Sequence, residues 1–116
     1  MQVTERLVGD IVILTITGDI TLNKGGDVVL KDKIRSQIQQ GHLKLLIDLA
    51  QVSYVDSAGL GQLVQASATT KNSGGALKLV HLTKRLTDLL AITKLVTVFD
   101  TYDDEAAAVA SFGTGV

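Results

Sequence analysis

Cysteine, proline and tryptophan are all absent from this chain of 116 residues. Without cysteine there is no disulfide framework, no thiolate metal site and no cysteine nucleophile. The two histidines, His42 and His81, lie far apart in sequence, which argues against a metal site. Only four aromatic rings are present, Tyr54, Phe99, Tyr102 and Phe112, too few for a base-stacking platform. Neither charge is in surplus: Lys plus Arg is 11, Asp plus Glu is 12, and the net charge is −1. Phosphate-backbone binding asks for a basic face, so nucleic acid is not an expected partner. No apolar run approaches the ~20 residues of a membrane helix. The opening Met1-Gln2-Val3-Thr4-Glu5 lacks the basic and then apolar pattern of a secretory signal. The expectation is a soluble, cytoplasmic single domain over 1–116, with 113–116 as a frayed tail.

What the chain has is aliphatic. Val, Ile and Leu must supply the core, and glycine supplies the punctuation. Val3 to Val8 and Ile11 to Thr17 read as two strands, with Gly9-Asp10 between them as a type II′ hairpin turn. Gly18 ends the second strand and a loop begins at Asp19. Asp27 is a plausible N-cap for a helix whose apolar stripe is Leu30, Ile34 and Ile38, and Gly41 suits its C′ position. Leu43 to Leu49 is a nearly continuous apolar run, the pattern of a strand buried on both faces.

A second helix carries Leu60, Leu63, Val64 and Ala68 on one stripe and is closed by Asn72-Ser73-Gly74-Gly75. Ala76 to Val80 is the next strand. Thr83 caps a helix through about Ile92, Leu95 to Phe99 reads as the last strand, and Asp103-Asp104-Glu105 opens an Ala-rich final helix. The order β-β-α-β-α-β-α-β-α predicts an α/β fold. Its sheet is mixed, mostly parallel with an antiparallel N-terminal hairpin, and about four helices cover it.

The turn after the buried strand is the most informative segment: Tyr54-Val55-Asp56-Ser57-Ala58-Gly59-Leu60-Gly61. A serine stands before an amphipathic helix, among small residues. Helix N-termini expose unpaired N–H groups and the positive end of the macrodipole. Ser57 can therefore be an N-cap, or a hydroxyl that carries a phosphate where the backbone tolerates one. Gly59 and Gly61 do not complete a dinucleotide fingerprint, because Val64 stands where its third glycine belongs. A nucleophile elbow fails at Val55, where glycine is required. Asp48 within its apolar strand reads as a structural carboxylate bonded to loop amides.

This segment resembles the Asp-Ser-x-Gly-Leu-Gly phosphorylation motif of the anti-sigma factor antagonists, bacterial STAS-domain proteins. Leu46-Ile47-Asp48-Leu49-Ala50-Gln51-Val52 is similar to the strand leading into that motif. Gly18-Asp19-Ile20 resembles the family's Gly-acid-Leu, and Gly75-Ala76-Leu77-Lys78-Leu79-Val80 its next strand.

The resemblance implies phosphorylation of Ser57 by an anti-sigma factor that is a serine kinase. The unphosphorylated form would bind that kinase and release a sigma factor, and a PP2C-type phosphatase would restore it. It implies no cofactor, no catalysis by this chain, and a monomer or weak dimer. Partner contacts would come from Asp19, Thr21, Asn23, Asp56, Ala58, Gly59, Leu60 and Gly61, with Leu22 and Gln62 beside them. Thr21 stands where the family usually carries a second acid. Alternatives are a STAS scaffold or regulatory subunit of a larger signalling assembly, and an accessory subunit of a membrane transporter.

Overall fold

The computed structural model describes residues 1–21 and 26–113. Strand β1 (Gln2–Val8) pairs antiparallel with β2 (Ile11–Thr17), with Val8 opposite Ile11. Gly9 has φ 61°, and among the described residues only His81 and Lys94 share a positive φ without being glycine. A left-handed first turn residue and an ordinary second one match the expected type II′ turn. Lys44 reaches back to this turn, its Nζ 2.7 Å from Asp10 Oδ2. That hydrogen bond holds the Asp10 carboxyl below its ordinary range.

Helix α1 (Gly26–Gln39) leads to β3 (Lys44–Gln51), α2 (Ser57–Asn72) to β4 (Ala76–Val80), and α3 (Lys84–Ile92) to β5 (Asp100–Tyr102). Helix α4 (Glu105–Gly113) comes last. The five strands lie in chain order, β1-β2-β3-β4-β5, and every pair after the hairpin is parallel. Right-handed crossovers that advance in one direction place their helices on one face. Accordingly α1, α2 and α3 share a face. Leu30, Ile34, Leu60, Leu63, Leu86 and Leu90 pack there on Val12, Leu14, Leu45, Ile47, Leu77 and Leu79. Each fully buried Leu or Ile contributes about 1.5–3 kcal/mol of transfer free energy.

Helix α4 covers part of the other face, where Ala108 and Phe112 meet Ile11, Ile13, Leu46 and Val80. Lys78 shares that face. Its ammonium lies 4.8 Å from the Phe112 ring centre and 2.9 Å from Ser111 Oγ. Arg6 bonds Glu105, tying β1 to α4.

The glycine stops behave as read. Gly41 has φ 85°, with Gly41 N–H donating to Ile38 O and His42 N–H to Gln37 O, the Schellman pattern. Gly74 and Gly75 repeat it on Lys71 and Thr70. Three expectations are corrected. Helix α1 already includes Gly26, so Asp27 falls inside its first turn rather than ahead of it. On α2 the buried stripe is Leu60, Leu63, Ala66 and Thr70, and Ala68 is exposed.

The last strand is the third correction: it is Asp100–Tyr102, and Leu95 to Phe99 is turn. Leu95 and Phe99 are anchors, packed on the core at the two ends of that turn, while Val96 and Val98 are exposed. Burial of the two ends, rather than a ladder, explains the apolar run. Of the expected tail, Gly113 closes α4 and 114–116 lie outside the described residues.

Candidate functional site

The site is built where two loops run side by side beyond the ends of β2 and β3. Gly18 N–H donates to Gln51 O at 3.1 Å, Ile20 N–H to Tyr54 O at 3.0 Å, and Asp56 N–H to Ile20 O at 3.3 Å. Ile20 and Val55 form an isolated parallel bridge. Both are buried, so the loops are pinned by side chains as well as by backbone. Ser53 Oγ donates to Asp19 Oδ1 at 2.8 Å, a third tie between them.

Helix α2 starts directly from this junction. Its N-cap is Asp56, in extended conformation, whose Oδ1 accepts from Gly59 N–H at 2.7 Å. The serine is therefore not the cap. Asp and Ser are comparable caps, and here the acid one residue earlier takes the position. Ser57 is the first helical residue and is exposed. Its hydroxyl is left accessible, and the Gly59 amide that an anion would have met is already taken by Asp56. The amides of Ser57 and Ala58 remain as donors for which helix geometry provides no intrahelical acceptor.

Gly59 has a direct structural cause. A Cβ there would lie 2.0 Å from the carbonyl oxygen of Ile20. The first turn of α2 is thus pressed onto the other loop, backbone against backbone. Leu60 is also structural, only 7% exposed and packed in the core, and the little surface it keeps faces the groove beside Ser57. Gly61 differs, since nothing lies within 4 Å of the Cβ it lacks, and it is exposed. Asp19, Thr21, Asp56 and Ala58 are half-buried around the junction, and Gln62 is half-buried on α2. Asn23 and Leu22 lie outside the described residues.

A groove of about 610 Å³ opens beside Ser57. Tyr54, Leu60, Leu86, Leu89 and Ile92 line it, with Lys84, Arg85 and Asp88 among its charged residues. Tyr54 is 48% and Ile92 79% exposed. The α3 side of this groove was not anticipated. A signal existed in Ile92, which lies off the Leu86 and Leu90 stripe and so points away from the core.

The histidines are elsewhere. His42 Nδ1 lies 2.7 Å from Gln37 Oε1 at the end of α1. His81 Nδ1 lies 3.1 Å from Asp48 Oδ1, and Asp48 also accepts from Ala50 N–H. Asp48 stands two residues after Leu46 and so shares the sheet face that α4 covers, and its partners are the His81 ring and an amide of its own strand rather than the loop amides expected. Among the described residues no group of three His, Cys, Asp or Glu side chains could hold a metal ion. No described helix is long and apolar enough to cross a membrane.

A five-stranded sheet in chain order, helices α1 to α3 on one face, and an exposed serine opening the second helix define a STAS domain. The STAS domain model matches residues 2–108, and the chain belongs to that family. Its relatives there include the anti-sigma-B factor antagonist of Bacillus subtilis (strain 168), 40% identical over 88 residues, covering 71% of this chain and 80% of that protein.

Among solved structures, the protein TM1081 of Thermotoga maritima superposes with a TM-score of 0.86 at 23% identity, covering 95% of this chain and 93% of that one. The Bacillus cell fate determinant SpoIIAA in its phosphorylated form gives 0.71 at 16% identity, covering 95% and 99%. These two establish likeness of fold.

Proposed function

We propose that this chain is an anti-sigma factor antagonist, a binding module switched by phosphorylation of Ser57. Unphosphorylated, it docks on an anti-sigma factor that is a serine kinase, and a sigma factor is released. A PP2C-type phosphatase removes the phosphate. The chain works in the cytoplasm as a monomer or weak dimer and is itself no enzyme. The observation that carries this reading is an exposed Ser57 hydroxyl at the opening of α2, not used as the cap. The 40% identical anti-sigma-B factor antagonist supports it, and SpoIIAA, a relative by fold, exists in a phosphorylated form.

The switch rests on charge. Phosphate adds about −1.5 to −2 at neutral pH. At a helix N-terminus the macrodipole tolerates it, so the fold survives. At a protein interface the same anion must shed water beside Asp56, and an unpaired buried charge costs several kcal/mol. A loss of about 3–4 kcal/mol lowers affinity by roughly 10² to 10³. Asp19, Thr21, Asp56, Ala58 and Gly61 form the surroundings the kinase reads, and Asn23, outside the described residues, is proposed as a further contact. Leu60 and Gly59 contribute by holding the turn in place, and Tyr54 and Ile92 add exposed apolar surface.

The test is to incubate wild type and Ser57→Ala with ATP and the anti-sigma serine kinase of the same organism, then locate phosphate by mass spectrometry. One phosphate on wild type and none on the variant is expected. Equal incorporation in both overturns the assignment.

A further inference from the structure

Gly61 has no reason within the fold. It is exposed, its backbone is helical and outside the left-handed region, and the Cβ it lacks would meet nothing within 4 Å. Alanine would make the better helix. What Gly61 faces is a groove of about 430 Å³ between α1 and α2. Lys31 and Arg35, one turn apart on α1, line one side, and Gln62, Gln65 and Thr69 on α2 line the other.

The charges of this groove are of one sign. No carboxylate among the described residues pairs with Lys31 or Arg35, whereas Lys33 on the same helix is 3.3 Å from Glu5 Oε1. The groove beside Ser57 is different, with an apolar lining and charges of both signs. Two cations with no carboxylate partner among the described residues, neutral hydrogen-bonding amides and a bare stretch of backbone, over a floor of Ile34 and Ala66, fit an acidic polypeptide.

We propose that the α1–α2 groove receives an acidic segment of the anti-sigma kinase, its Asp or Glu side chains set against Lys31 and Arg35 and its main chain passing over Gly61. The proposal rests on the reading of this chain as a kinase-binding antagonist and names the chemistry of the surface that docks. Ser57, Gly61 and Gln65 recur at i, i+4 and i+8 along one helix face. A phosphate on Ser57 then stands at the end of the acidic segment's path and repels it, so docking and switching share a face.

The experiment is a titration of wild type, Lys31→Glu/Arg35→Glu and Gly61→Leu with the serine kinase that phosphorylates Ser57, at low and at physiological salt. Charge reversal should raise Kd by roughly tenfold or more and flatten its salt dependence. Gly61→Leu should raise Kd similarly while melting no lower than wild type, and Gly61→Ala should melt higher. An unchanged Kd and salt slope in the double variant overturn the proposal. If phosphorylation of Ser57 still weakens binding in that case, the switch stands without this groove.

A second arm needs no kinase: amide spectra of the chain with a capped Glu-rich peptide. Shifts at Lys31, Arg35, Gly61 and Gln65 that vanish in the charge-reversed variant are expected. A footprint confined to Tyr54 and Ile92 overturns the proposal.

Discussion

Helices α2 and α3 begin at the same groove and are entered in the same way. Each has an extended N-cap residue whose side chain accepts from the amide three positions on, at 2.7 Å for Asp56 and 3.2 Å for Thr83. The residues after the cap differ. In α3 they are Lys84-Arg85-Leu86, and Leu86 is buried in the core. In α2 they are Ser57-Ala58-Gly59, and the third position meets the Ile20 carbonyl instead. One start is anchored by a side chain, which other aliphatic residues could replace with repacking. The other is anchored by backbone contact, which leaves room for glycine alone. The turn that presents Ser57 is thereby clear of bulk and fixed in place at once.

The largest effect should come from filling that contact. Gly59→Ala is expected to cost about 3–4 kcal/mol, because main chain must shift to admit a methyl group. Chemical denaturation measures it. A loss under about 1 kcal/mol would mean the two loops can part easily, and the contrast with α3 would dissolve. Next come the caps. Asp56→Ala and Thr83→Ala should each lose about 1 kcal/mol, the former at the larger end because its bond is charge-assisted. Equal losses would make the two starts energetically alike. The smallest effect is at Lys84, a cation at the positive end of a helix. Lys84→Glu should stabilise by about 0.5 kcal/mol, read as a rise in melting temperature that shrinks with salt.

Much of the fold was legible because its signals are local. The Gly9 turn, the Gly41 and Gly74 stops, and the alternation of strands with amphipathic helices are all set by neighbouring residues. The Ser57 turn was legible for the same reason, as a short motif in sequence. The features that escaped depend on distant partners. The strand Asp100–Tyr102 is short and polar, and pairing with Lys78–Val80 makes it a strand. Leu95 to Phe99 looked like one because both its ends pack on the core, Phe99 buried and Leu95 half-buried. Sequence could not choose between Asp56 and Ser57 as the cap, since adjacent residues of equal merit compete. The cause of Gly59 lies in Ile20, far earlier in the chain, and the α3 wall of the groove is equally remote.

The strand order has a kinetic consequence. Each strand after the hairpin docks beside the one made just before it, across a single helical connection. Among the described elements only α4 closes over a long span, through Glu105 on Arg6 and through Ala108 and Phe112 on Ile11 and Ile13, so for the rest the entropy of ring closure is met in modest instalments. Assembly can advance from the hairpin toward the C-terminus in the direction of synthesis.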